Sequence, residues 1–71
     1  MAEEVKAHIT SVVFQIVAKA GDAVAEGDPV IVLESMKMEI PVEAPRAAIV
    51  KEIAVTEGQT VQEGDTVALL E

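Results

Sequence analysis

Residues 13–34, VFQIVAKAGDAVAEGDPVIVLE, recur 37 positions later as residues 50–71, VKEIAVTEGQTVQEGDTVALLE. Ten of the twenty-two aligned pairs are identical, and several others exchange one apolar residue for another. Further upstream, Val5 aligns with Val42 and Ala7 aligns with Ala44. An internal repeat over nearly the whole chain predicts two similar structural units that pack against each other.

Each copy of the repeat consists of a strand, a Gly-Asp or Gly-Gln turn, a single valine, a Glu-Gly-Asp turn and a second strand. Glycine provides positive φ at tight corners, and aspartate accepts hydrogen bonds from nearby backbone amides. Neither turn opens a helix, so a phosphate-binding loop is not expected. The predicted turn residues are Gly21, Gly27, Asp28, Gly58, Gly64 and Asp65.

Alternation and short apolar runs predict an all-β fold, in keeping with the many valines and isoleucines of the chain. The main strands are expected over residues 5–9, 12–18, 29–34, 38–43, 49–55 and 66–70. Short bridging strands are expected around Val24 and Val61, and Pro41 predicts an edge strand or a bulge. Two antiparallel half-sheets of this kind are expected to close into a flattened barrel, forming one domain over residues 1–71.

The composition disfavours an enzyme. The chain has no cysteine and one histidine, His8. Disulfides and thiol chemistry are therefore excluded, and one imidazole cannot form a multi-histidine metal site. We expect no catalytic residue and no metal site.

The formal charge of −8 argues against nucleic acid and anionic membranes as partners. The charge serves either solubility or steering towards a basic partner. The apolar runs are too short to span a bilayer, and the start Met-Ala-Glu-Glu has no features of a signal peptide. We expect a monomer in the cytoplasm, and the natural-looking start favours a complete small protein.

The repeat maps residues 1–34 onto 38–71 and leaves Ser35, Met36 and Lys37 without counterparts. The flanking strands require a tight reversal here, for which Met-Lys is a poor choice because hairpin turns favour Asn-Gly or Asp-Gly. A turn that breaks the local rule indicates a functional constraint. From the turn alone, an edge-protecting lysine and an accessible nucleophile are equally plausible for Lys37.

The flanking methionines favour a functional role. Met36 has no packing role in the predicted sheets, and flexible thioethers suit adaptable recognition surfaces. Met38 shares a face with Ile40 and Val42, so packing in the core and recognition both remain open for it.

The stretch Glu34-Ser35-Met36-Lys37-Met38 resembles the Met-Lys-Met biotinylation signature of biotin carboxyl carrier and biotinyl domains. The resemblance covers nearly the full chain, because the Gly-Asp and Glu-Gly-Asp turns also fall where that family has its turns. The related lipoyl domains share the fold and usually have Asp-Lys-Ala at the tip, so Met-Lys-Met favours biotin.

The resemblance implies a barrel–sandwich hybrid with two quasi-symmetric antiparallel sheets and Lys37 on an exposed hairpin opposite the termini. It implies that a biotin protein ligase attaches biotin to Lys37 and that Glu34, Ser35, Met36 and Met38 help the ligase to recognise the hairpin. The attached biotin would then serve the biotin carboxylase and carboxyltransferase sites of a carboxylase. The alternatives are a lipoyl-type swinging-arm carrier and a small β interaction module.

Two positions depart from the family pattern. Ser11 and Ala48 stand where family members commonly have glycine, which leaves the geometry of both corners open. The short segment 18–26 has no room for the protruding thumb of some bacterial carriers, so the chain resembles the thumbless members.

Overall fold

The computed structural model describes residues 2–71, which form eight β-strands and, within that range, no helix. The strands in chain order are β1 (Glu3–Lys6), β2 (Ser11–Ile16), β3 (Ala23–Val24), β4 (Pro29–Ser35), β5 (Met38–Glu43), β6 (Ala48–Ile53), β7 (Thr60–Val61) and β8 (Thr66–Leu70). The domain predicted over residues 1–71 includes Met1, which lies outside the described residues. No helix of a length and hydrophobicity suited to crossing a membrane occurs in the described part of the chain.

The strands form two antiparallel four-stranded sheets that enclose a single core. The hairpin sheet has the order β5-β4-β2-β7, and the terminal sheet has the order β1-β8-β6-β3. This arrangement confirms the predicted all-β barrel–sandwich hybrid. The prediction that Pro41 marks an edge is also confirmed, since β5 is an outer strand of its sheet.

The two sheets are related by a quasi-two-fold symmetry that follows the sequence repeat. Leu33 lies opposite Ile40 in the β4–β5 pair, and Leu70 lies opposite Glu3 in the β8–β1 pair. A shift of 37 positions converts the first pair into the second, and it does the same for the other strand pairs and their irregularities. The repeat therefore specifies hydrogen-bond register as well as strand order.

The core is composed of repeat-equivalent residues from both sheets. Seven equivalent pairs are buried on both sides of the quasi-two-fold axis: Val5 and Val42, Ala7 and Ala44, Val13 and Val50, Ala18 and Val55, Val30 and Val67, Ile31 and Ala68, and Leu33 and Leu70. Val61 is buried, whereas its equivalent Val24 is only half-buried. Neither sheet could exclude water from its inner face alone, because each inner face is covered by the other.

The four glycine turns have the backbone geometry that their sequences require. Asp28 accepts a hydrogen bond of 2.9 Å from the Ala25 amide, and Asp65 accepts an equivalent bond of 2.9 Å from the Gln62 amide. All four glycines have φ between 88° and 95°, a region that side chains with a Cβ rarely adopt. These glycines are Gly21, Gly27, Gly58 and Gly64.

The predicted boundaries are wrong for β1, which was expected over residues 5–9. The strand ends at Lys6 because the next residue turns away to close a corner. The Ala7 amide donates to the Asp65 carbonyl at 2.9 Å, and the Gly64 amide donates to the Ala7 carbonyl at 2.9 Å. Residues 8–10 are then exposed bends.

Strands β2 and β6 are shorter at their C-terminal ends than the predicted ranges 12–18 and 49–55. The Val17 and Ala18 amides both donate to the Val30 carbonyl, at 2.9 and 3.1 Å, so this segment leaves the regular ladder. The Ala54 amide bonds in the same way to the Val67 carbonyl. By contrast, β5 and β8 have their predicted bounds, and β4 extends by one residue beyond the predicted range 29–34.

Candidate attachment site at the hairpin tip

The β4–β5 hairpin reverses through two residues in the left-handed backbone region. Ser35 pairs with Met38, and between them Met36 has φ 52° and Lys37 has φ 65°. Within residues 2–71 they are the non-glycine residues with positive φ. Hairpin loops of two residues require this geometry and normally use Asn-Gly, whereas each ordinary side chain in this region has a steric cost. The backbone is therefore strained at this tip, whereas the other tight turns have glycine at their positive-φ positions.

The tip presents its side chains to solvent. Lys37 is exposed, and its amine makes no hydrogen bond or ion pair with the other described residues. Met36 is 87% exposed and has no packing role within the domain. The primary amine therefore lies where another protein can reach it, on a residue that two methionines flank in sequence.

Of the two roles that remained open for Met38, packing in the core and recognition, the structure does not support packing in the core. Its direction along β5 is that of Ile40 and Val42, but Met38 is 60% exposed. The fully buried part of β4 ends at Leu33, and Met38 pairs with Ser35 beyond that point. Core packing therefore does not account for Met38.

A rigid support lies beneath the tip. Strand β4 pairs with β2 on one side and with β5 on the other. Ile31 and Leu33 anchor it in the core with no exposed surface. Glu34, two residues before the turn, is exposed and lies directly opposite Glu39. The lysine is thus fixed by its backbone while its side chain remains free.

The chain termini occupy the equivalent place in the other sheet. The repeat relates the end of β4 to the end of β8, and it relates the start of β5 to the start of β1. Glu3 and Leu70 accordingly form a pair equivalent to Ile40 and Leu33. The hairpin tip is therefore the connection that joins the two repeats.

The corners that lack the usual glycines are regular. Ser11 begins β2 and pairs with Val61, just as Ala48 begins β6 and pairs with Val24. Neither residue has positive φ. The buried Ser11 hydroxyl donates to the Ile9 carbonyl at 2.9 Å. Glycine is not required at either corner, so these departures leave the hairpin support intact.

Other chemistry is sparse in the described part of the chain. His8 is exposed in the bend after β1, and residues 2–71 contain no group of three or more candidate metal ligands. An open cavity of about 350 Å³ lies between Val17, Asp22 and Pro29, away from the tip. A second of about 250 Å³ lies along β1 beside Val42 and Pro45.

Sequence reasoning missed one feature of this end of the molecule. Val12 and Phe14 are large apolar residues on the exposed side of β2, next to the strand that leads to Lys37. The signal was present in the repeat, because Phe14 aligns with a charged residue, Lys51. A buried position rarely tolerates that exchange, so the alignment alone indicates an outward-facing Phe14.

The fold and the register of its two halves define the class of biotinyl and lipoyl attachment domains. The chain belongs to the biotin/lipoyl family, whose model, described as "Biotin-requiring enzyme", matches residues 3–70.

Several relatives are described as biotinylated or as attachment proteins. The chain is 50% identical over 52 residues to the "Biotinylated protein TB7.3 homolog" of Mycobacterium leprae, covering 73% of each chain. It is 54% identical over 39 residues to the "Biotin/lipoyl attachment protein" of Bacillus subtilis, covering 55% of this chain and 53% of that one. A 39% identity over 51 residues links it to the "Methylmalonyl-CoA decarboxylase subunit gamma" of Veillonella parvula, covering 72% of this chain and 40% of that subunit.

Solved structures place similar domains inside large carboxylases. The Kluyveromyces lactis urea carboxylase superposes with a TM-score of 0.95 and 37% identity, covering all of this chain but 6% of the enzyme. A single-chain, multi-domain long-chain acyl-CoA carboxylase superposes with a TM-score of 0.90 and 29% identity, covering 97% of this chain and 7% of the enzyme. The lipoyl domain of the Azotobacter vinelandii 2-oxoglutarate dehydrogenase complex superposes with a TM-score of 0.74 and 27% identity, covering 87% of this chain and 78% of that domain. The lipoyl alternative is therefore not favoured.

Proposed function

We propose that this chain is a biotin carrier that is biotinylated on Lys37 and performs no catalysis itself. The observation behind the proposal is the hairpin tip, where Met36 and Lys37 hold positive φ and the amine projects unpaired into solvent. Residues with strained backbone conformations occur mainly at functional sites, so the strain at this exposed lysine supports a functional role for it. The biotinylated relatives support biotin as the attached group.

The residues at the tip fit amide formation with an activated carboxylic acid. A biotin protein ligase would supply the acid as an acyl-adenylate, since a carboxylate itself is not electrophilic enough. The Lys37 Nζ loses a proton, attacks the acyl carbonyl carbon and displaces AMP, so that an amide bond replaces the acyl–phosphate bond. Glu34, Ser35, Met36 and Met38 orient the hairpin on the ligase, so the amine reaches the carbonyl in a reactive geometry.

The attached group gives the carrier its role. Biotin, when bound, supplies a ureido ring that transports CO₂ from a biotin carboxylase site to a carboxyltransferase site. The domain holds the arm by one amide bond on a rigid β-hairpin, and the tether replaces two diffusional encounters with local ones. The similar domains within carboxylases support partners of this kind. The cytoplasmic location expected from the sequence stays a prediction.

Intact-mass analysis tests the attachment site. The full chain is co-expressed with a biotin protein ligase in medium with biotin, and its mass is measured beside that of Lys37→Arg. We expect one biotinyl increment in the wild type and none in Lys37→Arg, which keeps the charge but cannot form the amide. The matched controls replace the other lysines with arginine one at a time, at Lys6, Lys19 and Lys51.

Three results would overturn the proposal. They are an unmodified wild type, an increment retained in Lys37→Arg, and an increment lost in one of the control variants. Co-expression with a lipoate ligase and lipoate examines the alternative, because a lipoyl increment without a biotinyl one would identify a lipoyl carrier.

A further inference from the structure

Equivalent positions of the two sheets differ in their outward-facing chemistry. Phe14 and Lys51 are each the extra residue at the irregularity of their strand, in β2 and β6. The fold therefore accepts a lysine at this position, yet the hairpin sheet has a phenylalanine that is 49% exposed. Likewise, the exposed Ile9 and Val17 align with Arg46 and Ala54. Since the equivalent positions accept a lysine and an arginine, folding does not require an apolar side chain at Phe14 or Ile9, and both require another explanation.

The exposed apolar side chains adjoin the strands of the hairpin. Val12 lies opposite Glu34, and Val32 lies between Gln15 and Pro41 in the neighbouring row of the sheet. We name Val12, Phe14, Val32 and Pro41 the β2 patch. All four side chains are exposed or half-buried. In the terminal sheet the positions of Phe14 and Pro41 are held by Lys51 and Glu4, whereas those of Val12 and Val32 are held by the apolar Ile49 and Leu69. The two sheets therefore differ at Phe14 and Pro41.

Two carboxylates lie in the same row of the sheet as Val12, closer to the tip than Val32 and Pro41. Glu34 and Glu39 are directly opposite each other on β4 and β5, and both are exposed. Like charges in this arrangement repel and destabilise the strand pair. Within residues 2–71 the ion pair of the chain is Arg46–Glu3, so neither glutamate is neutralised there. An apolar area edged by two uncompensated carboxylates is complementary to an apolar surface flanked by lysine or arginine.

We propose that the β2 patch, with Glu34 and Glu39, is a docking surface for the ligase that acylates Lys37. The ligase surface facing it has an apolar depression for Phe14, flanked by basic side chains. This inference rests on the proposed function. A second copy of the chain is a poor occupant, because two molecules of formal charge −8 repel.

Reach distinguishes the ligase from the later partners. Along the hairpin, Val32 is four residues from Met36, which corresponds to roughly 13 Å of strand. Bare Lys37 extends beyond the tip only by its four-carbon stem. An enzyme that takes the bare amine must therefore bring its active site up to the tip, and its surface then lies over the adjoining strands. Later partners meet a longer tethered arm and can remain further away.

Steady-state kinetics with a purified biotin protein ligase test the docking surface. Val12→Lys is compared with Ile49→Lys, because these residues are repeat equivalents with 40% and 44% exposure in opposite sheets. We expect Val12→Lys to lower kcat/KM about tenfold through KM, since an apolar contact at a protein interface is lost and a repelling charge is added. Ile49→Lys stays within about twofold, because the terminal sheet is not contacted.

The charged edge has its own test. We expect Glu39→Gln to raise KM and to weaken the dependence of kcat/KM on salt concentration, because it removes one charge from the interface. The control Glu52→Gln changes an exposed glutamate on β6 of the terminal sheet. It leaves KM and the salt dependence of kcat/KM unchanged.

A binding measurement separates docking from chemistry. Lys37→Arg cannot be acylated and is expected to inhibit the ligase competitively, and adding Val12→Lys should weaken that inhibition about tenfold. Equal kinetics for Val12→Lys and Ile49→Lys, with the wild type biotinylated, would overturn the docking surface and leave the proposed function standing. A wild type that is not biotinylated would overturn both.

Discussion

Asp28 and Asp65 hold equivalent corners of the two sheets through the same pair of reciprocal hydrogen bonds. The Asp28 carboxylate accepts from the Ala25 amide at 2.9 Å, and the Asp28 amide donates to the Ala25 carbonyl at 3.0 Å. Asp65 repeats both bonds with Gln62 at the same distances. Each aspartate thus closes a turn whose glycine has positive φ. Each corner is therefore closed twice, by one side-chain and one backbone hydrogen bond between the same two residues.

Replacing either aspartate with alanine tests this description. We expect Asp28→Ala and Asp65→Ala each to lower the free energy of unfolding by about 1 kcal/mol, because one side-chain hydrogen bond to a backbone amide is lost. Urea unfolding followed by circular dichroism measures the change. Glu26→Ala and Glu63→Ala are the matched controls, since these exposed neighbours make no side-chain hydrogen bond with the described residues. Equal midpoints for Asp28→Ala and Glu26→Ala would contradict the role assigned to the carboxylate.

The hairpin tip is expected to be less stable than a turn of conventional sequence. Met36→Asn together with Lys37→Gly should raise the free energy of unfolding by about 1 kcal/mol, because these residues adopt positive φ at lower cost. The opposite change, Gly58→Ala, should lower stability by a similar amount. A Cβ at Gly58 would have no heavy atom within 4 Å, so this loss reflects the backbone alone. Urea midpoints measure both effects.

Acylation of the single variant Met36→Asn completes this prediction. It keeps Lys37 and should be more stable than the wild type but a poorer ligase substrate, since the thioether is lost. Unchanged stability in the double variant would show that the tip is not strained. Unchanged acylation of Met36→Asn would show that the methionine is dispensable.

Strand bounds could be predicted from sequence where neighbouring residues determine them. They could not be predicted where a hydrogen bond to a distant residue ends the strand. Strand β5 has its predicted bounds because the Met-Lys turn and Ala44-Pro45 delimit it. The alternation of Val5, Ala7 and Ile9 continued past the true end of β1, because the bond that ends it joins Ala7 to Asp65, far along the chain.

The candidate site shows the same division. Lys37 could be selected from sequence because it lies in the three residues outside the repeat. The exposure of Met38 could not be predicted, because alternation gives the direction of a side chain but not where the opposing sheet ends. The Glu34–Glu39 pair likewise depends on the register of β4 and β5, which the turn length determines.

The two adjacent leucines near the C-terminus should differ in their contribution to stability. Leu70 has no exposed surface, whereas Leu69 is half-buried and lies opposite Glu4 on the outer side of the sheet. Leu70→Ala should lower the free energy of unfolding by about 2–5 kcal/mol, because it leaves a cavity in the core. In a domain this short such a loss is comparable to the whole stability, so Leu70→Ala should be largely unfolded.

Leu69→Ala is the matched control, with the same chemical change one residue away. It should remain folded at room temperature and lose only part of the stability that Leu70→Ala loses. Thermal unfolding followed by circular dichroism distinguishes them, and similar melting temperatures for the two variants would contradict the assigned inner and outer faces.

Arg46 joins the two ends of the chain but should contribute little to stability. Its Nε donates to Glu3 Oε1 at 2.6 Å, and its Nη1 donates to a main-chain oxygen of Glu71, the last residue, at 3.3 Å. Both side chains of the ion pair are partly exposed, so water and salt screen the charges. In a double-mutant cycle of Arg46→Ala and Glu3→Ala, we expect a coupling energy of about 0.5 kcal/mol at low ionic strength.

Salt dependence identifies the origin of that coupling. Repeating the cycle in 1 M sodium chloride should reduce it to near zero, because the Debye length falls to about 3 Å. Single Arg46→Ala should still lose some stability at high salt, since its Nη1 also donates to the neutral Ala47 carbonyl at 3.2 Å, and that bond is less sensitive to screening. A coupling energy that is large and independent of salt would contradict this account, because it would require an ion pair shielded from water.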